Sequence, residues 1–318
     1  MEDLRNYKVD VMDGDSMNVL GYTILGMPPP SSGLLGLSLV LNILDSYGSS
    51  QSAKGSQGLH RLIEALKFIF AVRMNLGDPD FVNISKTMSD MFSPRFAKKL
   101  HQKIFDDTTF PPEYYMYRWS QLRDHGTSHL CVVDANRNAV SMTTTVNYDF
   151  GAGCSLLPLV LCSTMKWRPL SSMTPIIVLK DDQLVGVIGG SGGLYIIPAV
   201  VQVFLNHFIF GMEPLAAVQS PRVYHELIPN VVTYENWTVF DGEHIELSNK
   251  KKQFLEERGH QPEARAGGAI CQLLVQNLQN LIDMGRKNGK VGKDEVFRGT
   301  LTAVSDPRKD GRPAALIL

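Results

Sequence analysis

The chain reads as an α+β protein in which antiparallel strands occupy the middle of the sequence and helices flank them. Three observations carry this. Short alternating runs come in pairs joined by turn-forming residues, Leu130 to Asp134 with Ala139 to Val146 and Ile176 to Leu179 with Leu184 to Ile188. That is the pattern of hairpins, not of strands separated by helical crossovers. Amphipathic stretches lie outside them, the clearest placing Leu59, Leu62, Ile63, Leu66, Ile69 and Phe70 on one face and His60, Arg61, Glu64 and Lys67 on the other. Finally, 318 residues at 44% hydrophobic content suffice for one large domain or two ordinary ones.

Taken in order, Tyr7 to Met12 and Val19 to Leu25 read as extended segments split by an Asp13-Gly14-Asp15 turn. Pro28-Pro29-Pro30-Ser31-Ser32-Gly33 opens a helix over Leu34 to Tyr47, with a serine cap. After the amphipathic helix, Ser93-Pro94 caps a third that runs to about Ile104. Residues 105–126 contain Pro111-Pro112, keep no steady period and read as an irregular lead-in. Beyond the two hairpins come helices over 194–210 and about 213–219, a strand near Val231 to Tyr234, and a polar helix from Ser248 to Arg258 stopped by a left-handed cap at Gly259. Strands at Ala269 to Val275 and Leu301 to Val304 complete the set, and residues 276–293 read as a loose insertion.

A formal net charge of −1 and a pI of about 6.7 give no support to nucleic acid or an anionic membrane surface as partner. The first residues are charged and lack the order of a signal peptide, and Gln202, Asn206 and His207 interrupt the longest apolar candidate for a membrane span. Cys131, Cys154, Cys162 and Cys271 show no zinc spacing; structural thiols are expected, with a Cys154/Cys162 bridge as an option. His225 and His260 have no ligand-spaced partners. Asn83-Ile84-Ser85 and Asn236-Trp237-Thr238 are glycosylation sequons.

Chemistry concentrates where Gln121-Leu122-Arg123-Asp124-His125-Gly126-Thr127-Ser128 runs into the first hairpin. An internal threonine is a poor nucleophile. One that begins a chain carries its own base, an α-amino group titrating near pH 7.7 to 8.0. Scission of the Gly126–Thr127 bond would make such a group, and a glycine before the threonine permits the strained backbone that the attack needs. The plain alternative is a turn followed by a strand. A second alternative is Gly189-Gly190-Ser191-Gly192-Gly193, which matches the Gly-x-Ser-x-Gly elbow of α/β-hydrolases with Ser191 as nucleophile and His207, Asp241, His244 and His260 downstream. It requires a parallel sheet, whereas the surrounding elements read as hairpins.

The sequence resembles the γ-glutamyltransferase (glutathione hydrolase) family. The likeness rests on Thr127-Ser128-His129-Leu130, Asn138-Ala139-Val140-Ser141-Met142-Thr143-Thr144-Thr145-Val146-Asn147, Arg168-Pro169-Leu170-Ser171-Ser172-Met173-Thr174-Pro175, Gly189 to Gly193, and Ala303-Val304-Ser305-Asp306-Pro307-Arg308-Lys309. Met27-Pro28-Pro29-Pro30-Ser31-Ser32-Gly33 and Leu205-Asn206-His207-Phe208 point to the plant vacuolar type. The resemblance implies an αββα four-layer sandwich of the N-terminal-nucleophile hydrolase type, here incomplete. It also implies self-cleavage between Gly126 and Thr127, with 1–126 as the end of a large subunit and 127–318 as a small one, the heterodimer forming one domain.

What the resemblance implies for the site is specific. Thr127 is the nucleophile and Thr145 its hydroxyl partner; Gly192 and Gly193 are oxyanion donors; Ser171 and Ser172 hold the glutamyl α-carboxylate and Asn147 helps with the α-amino group. The substrates implied are glutathione, its conjugates and other γ-glutamyl compounds, with water, amino acids or dipeptides as acceptors, in the vacuole and with no metal or organic cofactor. Thr143 and Thr144 read as strand formers. Two departures stand out: the family's arginine for the α-carboxylate and its acidic segment between Gly153 and Arg168 have no counterpart, so a truncated relative that recognises substrate poorly, or serves as a non-enzymatic partner, is expected.

Overall fold

The computed structural model describes residues 5, 8–115, 125–147, 168–277 and 299–316. β1 (Asp15–Val19) and β2 (Tyr22–Gly26) form a hairpin around Leu20-Gly21, whose φ values are 52° and 81°. Two successive left-handed residues twist in the sense of the strands they join, so the chain turns here instead of at Asp13-Gly14-Asp15, and residues 8–14 form no strand. Four helices follow, α1 (Gly33–Asp45), α2 (Gly55–Arg73), α3 (Ser85–Phe92) and α4 (Pro94–His101). Ser93 caps α4 by accepting the Phe96 N–H at 3.2 Å. Ser32 stands before α1 but makes no cap bond; its hydroxyl donates to the Ser171 carbonyl at 2.7 Å.

β3 (His125–Val133) and β4 (Ala139–Asn147) make the first expected hairpin, and β5 (Ile176–Lys180) with β6 (Gln183–Ser191) the second. α5 (Ile196–Phe204) continues through a π-helical turn at Leu205–Ile209, and α6 (Pro214–Gln219) follows. β7 (Val223–Tyr224), β8 (Val232–Thr238), β9 (His244–Glu246), α7 (Asn249–Glu256), β10 (Pro262–Arg265), β11 (Ile270–Asn277) and β12 (Thr300–Val304) complete the described elements. Cys154, Cys162 and most of the expected insertion at 276–293 lie outside the described residues.

The main sheet runs β1-β2-β5-β6-β11-β12, every neighbouring pair antiparallel. Ile188 and Leu273 join the core formed with the helices, whereas their neighbours Val187 and Leu274 join Cys131, Val133 and Ala139 of the β3–β4 hairpin. Successive strand residues point to opposite faces, so helices cover one face of the sheet and the hairpin covers the other. The protein is α+β, stacked helix on sheet on sheet. The hairpin's own outer face carries Leu130, Val132, Val140, Met142 and Val146, each 43% exposed or more.

A smaller sheet, β10-β8-β7 with β9 beside β8, packs through Val223, Val232, Tyr234, Leu247 and Leu255 onto Ile63 of α2. This second cover explains an unexpected burial. His60, Glu64 and Lys67, on the polar face of α2, are all fully buried.

Candidate active site

The β3–β4 register pairs Thr127 with Thr145, and their hydroxyl oxygens are 3.0 Å apart. Alternation turns both inward, with His129 and Cys131, while Ser128 and Leu130 face out. Gly126 has φ +68°, and a Cβ there would lie 2.4 Å from Val146 Cγ2. Both facts require glycine before the threonine. Asn147 pairs with His125 at the end of β4, close along the ladder to Thr127. Thr143 does more than form strand, since its hydroxyl is 2.8 Å from His129 Nδ1.

The glycine run at the end of β6 serves two purposes. At Gly189 a Cβ would meet the His129 ring at 2.1 Å, so this glycine lets the hairpin close onto the sheet. Gly192 and Gly193 have φ values of 131° and 61° and turn the chain into a short 3-10 segment that leads to α5. A Cβ on Gly192 would lie 2.8 Å from Ala269 Cα. Thr127, Gly192 and Gly193 line one cavity of about 600 Å³. Burial pushes His129 down to about 4 and, with Cys271 nearby, pushes the Cys131 thiol up to about 12. At neutral pH the imidazole is uncharged and the cysteine is no rival nucleophile.

Ser171 and Ser172 precede β5, whose Ile176 pairs with Ile188, and so lie at the end of the sheet where β6 turns. They do not line the cavity; both are buried, Ser171 against the Pro30 to Ser32 loop through Ser32 N to Ser171 O at 2.8 Å and Ser171 N to Pro30 O at 3.1 Å. Behind them is a residue the sequence did not reveal. Arg73, the buried last residue of α2, donates through Nε to Ser32 Oγ and through Nη2 to Ser172 Oγ, both at 2.9 Å. Its only local sign is a lone charge closing the apolar turn Phe68 to Val72.

The Ser305-Asp306-Pro307-Arg308 block is also structural. Asp306 pairs with Arg222 at 2.8 Å and accepts the Cys271 N–H at 2.8 Å, Arg308 spans Asp306 and Glu235, and Arg222 donates to the Ala269 carbonyl at 2.7 Å. These fully buried charges fix Ala269, the backstop of Gly192. Burial is tolerated because each charge has partners.

Two rivals lose their scaffold. Ser191 lines the cavity, but the sheet is antiparallel and no histidine lines the cavity among the described residues. His60 and His260, 200 positions apart and therefore invisible to spacing, bring Nδ1 and Nε2 to 2.8 Å beside Glu64, a potential metal-ligand set. Yet Lys67 Nζ sits 3.2 Å from Glu64 Oε1, Thr109 donates to the same oxygen at 2.6 Å, and Tyr115 donates to the other at 2.5 Å. A divalent ion would face that ammonium at close range, and the carboxylate is already satisfied. The residues fit a buried hydrogen-bond network better than a coordination sphere.

The gamma-glutamyltranspeptidase family model matches residues 1–157 and 164–316. The chain is 54% identical to glutathione hydrolase 3 of Arabidopsis thaliana, over 99% of this chain and 54% of the relative. It is 46% identical to that plant's glutathione hydrolase 2, over 99% and 57%, and 49% identical to its putative inactive glutathione hydrolase 4, over 51% of this chain and all of the relative. The chain thus spans about half the length of the first two. Cephalosporin acylase from Bacillus halodurans shares the fold, with a TM-score of 0.72 at 21% identity over 99% of this chain and 55% of the acylase.

Proposed function

The chain belongs to the gamma-glutamyltranspeptidase family, and on that premise we propose that it is a glutathione hydrolase and γ-glutamyltransferase working through Thr127. The observation that carries the reading is the Thr127 hydroxyl, 3.0 Å from that of Thr145, in one cavity with the Gly192-Gly193 turn. Thr127 Oγ1 attacks the Gly126 carbonyl, the acyl group moves from nitrogen to oxygen, and water hydrolyses the ester. A carboxylate is left on Gly126 and a free α-amine on Thr127. The pieces 1–126 and 127–318 remain one domain, because the main core takes Leu37 and Phe68 from one and Ile188 and Val200 from the other.

The freed α-amine then takes the hydroxyl proton while Oγ1 attacks the γ-amide carbon of glutathione or a conjugate. Backbone N–H groups of Gly192 and Gly193 stabilise the oxyanion, the amine leaves with a proton, and the γ-glutamyl ester passes to water, an amino acid or a dipeptide. No metal or organic cofactor is needed. Ser171 and Ser172 take the α-carboxylate and Asn147 helps with the α-amino group. With both serines buried, their loop must part from Pro30 to Ser32 first, which favours slow turnover. Glutathione hydrolases 3 and 2, which it resembles at 54% and 46% identity, are plant proteins, and the vacuole is the location we assign.

The deciding experiment is denaturing electrophoresis with N-terminal sequencing of purified protein. The expected products end at Gly126 and begin at Thr127, and Thr127→Ala stays whole and turns over no γ-glutamyl anilide. A chain that never splits removes the enzyme reading in favour of a non-catalytic relative. Activity lost in Ser191→Ala but kept in Thr127→Ala would restore the α/β-hydrolase reading.

A further inference from the structure

The two glycosylation sequons play no part in the chemistry at Thr127, and the fold treats them differently. Asn236 lies within β8, opposite Glu246 of β9. The two residues before it, Tyr234 and Glu235, are buried on opposite faces of the strand. Alternation turns Asn236 to the side of Val232 and Tyr234, which packs on Ile63 of α2. A branched sugar attached there would grow from the packed side of the smaller sheet. Asn83 belongs to no strand or helix, stands just before α3 and is exposed.

Each part of the Asn83 sequon is held in place. Ile84, its middle residue, is buried in the main core, while Asn83 and Ser85 on either side of it are exposed. Asn83 Oδ1 accepts the Ser85 N–H at 3.2 Å, which fixes the carboxamide by its oxygen; among the described residues Nδ2 donates no hydrogen bond. Asp78 secures the turn that leads in. Its carbonyl accepts the N–H groups of Phe81 and Val82 at 3.0 and 2.9 Å, and its carboxylate pairs with Arg168 at 2.7 Å. This anchored turn presents Phe81 and Val82 to solvent, 55% and 43% exposed. A single exposed phenylalanine is ordinary on a protein surface. One fixed two residues before an open asparagine is a platform, because the C–H face of a pyranose packs on an aromatic ring and two residues of chain span at most about 7 Å.

We propose that Asn83 is the N-glycosylated asparagine of this chain, that its first sugar covers Phe81, and that Asn236 stays unmodified. The proposal rests on the vacuolar placement, which takes the chain through the secretory lumen where such sugars are added. Asn83 Nδ2 attacks the anomeric carbon of an oligosaccharide carried on a polyisoprenyl pyrophosphate. A C–N bond forms, the C–O bond to the pyrophosphate breaks, the lipid pyrophosphate leaves, and the amide proton passes to a base of the transferase. Transfer precedes folding, so the fold acts as a filter. A glycan on exposed Asn83 leaves the core contact of Ile84 in place, whereas one on Asn236 opposes closure of the smaller sheet on α2.

The test directs the full chain into the secretory lumen of plant cells behind a cleavable leader. The purified protein is treated with a peptide N-glycosidase in heavy-oxygen water, and the label is located by mass spectrometry. Label is expected at Asn83 and not at Asn236. Asn83→Gln and Ser85→Ala should abolish it, and Asn236→Gln should leave it unchanged. Deglycosylation should lower the thermal unfolding midpoint by about 2 °C, and by nothing measurable in Phe81→Ser. Label at Asn236, or none at Asn83, overturns the assignment; an equal drop in Phe81→Ser overturns the covering of the ring. The chain isolated from its own tissue distinguishes the site from the route. If it is unmodified there, yet labelled at Asn83 when directed to the lumen, the vacuolar placement fails and the site stands.

Discussion

The two faces of the main sheet are built to different standards. On the helix face, α1, α2 and α5 bury a continuous core in which Leu37, Phe68, Ile69, Val200 and Phe204 have no exposed surface. On the other face only a two-stranded hairpin is laid over Leu184, Val187 and Leu274, and its back shows five large apolar residues to solvent. The proposed nucleophile is on the second face. Folding stability and chemistry therefore draw on different layers, and substitutions should separate them.

The largest effect is expected on the helix face. Phe68 is fully buried and meets Tyr115 edge to face at 4.9 Å, so Phe68→Ala should destabilise by ~3–5 kcal/mol in chemical denaturation. Leu274→Ala, at the hairpin interface, should sit near the low end for such a truncation, about 2 kcal/mol. Val132→Thr, on the hairpin's exposed back, should stay within about 0.5 kcal/mol. Equal losses at Phe68 and Leu274 would erase the contrast between the faces.

Acid should reach the hairpin through His129. Its pKa falls from 6.5 to about 4 because burial disfavours the imidazolium. The unfolded chain takes the proton first, so stability is complete above pH 6.5 and is lost as pH falls toward 4. The loss is at most about 3 kcal/mol, less for whatever part of the ring water reaches. His60, His225 and His260 are shifted the same way, so the measurement is the difference between the parent and His129→Gln across pH 7 to 4. A constant difference would show that His129 contributes nothing to the acid response.

Gly189→Ala aims at the contact between the layers. The added Cβ would lie 2.1 Å from a ring held by Thr143 and Cys131, so the hairpin must shift, at about 1–3 kcal/mol. Self-cleavage should fall sharply while the helical circular dichroism persists. Cleavage at the parent rate would mean that the hairpin needs no close seat on the sheet.

Sequence made the hairpins legible because a period of two and the turn at Ala135 to Asn138 fix their register, and that register alone puts Thr145 opposite Thr127. It misplaced the first turn because Leu20 accepts a left-handed conformation that leucine rarely adopts. Periodicity identified α2 and its two faces, but not that both are covered, since what covers a polar face comes from residues 223–255. Arg73 escaped for the same reason. Its partner Ser172 lies 99 positions away, and nothing local links them.

A modest effect tests the site most directly. Thr144 and Thr145 are adjacent in β4, but the pleat turns Thr144 out while Thr145 faces the Thr127 hydroxyl at 3.0 Å. A neutral hydrogen bond contributes about 0.5–1.5 kcal/mol. Thr145→Val, which keeps shape and strand preference, should therefore slow self-cleavage and turnover by between twofold and about tenfold. Thr145→Ser should restore most of the rate, because the hydroxyl returns although the methyl does not. Thr144→Val should leave both rates alone, its hydroxyl being on the solvent side. Were Thr144→Val and Thr145→Val to slow cleavage equally, the effect would belong to the strand and not to the hydroxyl pair, and the geometry at Thr127 would lose its claim to be a catalytic arrangement.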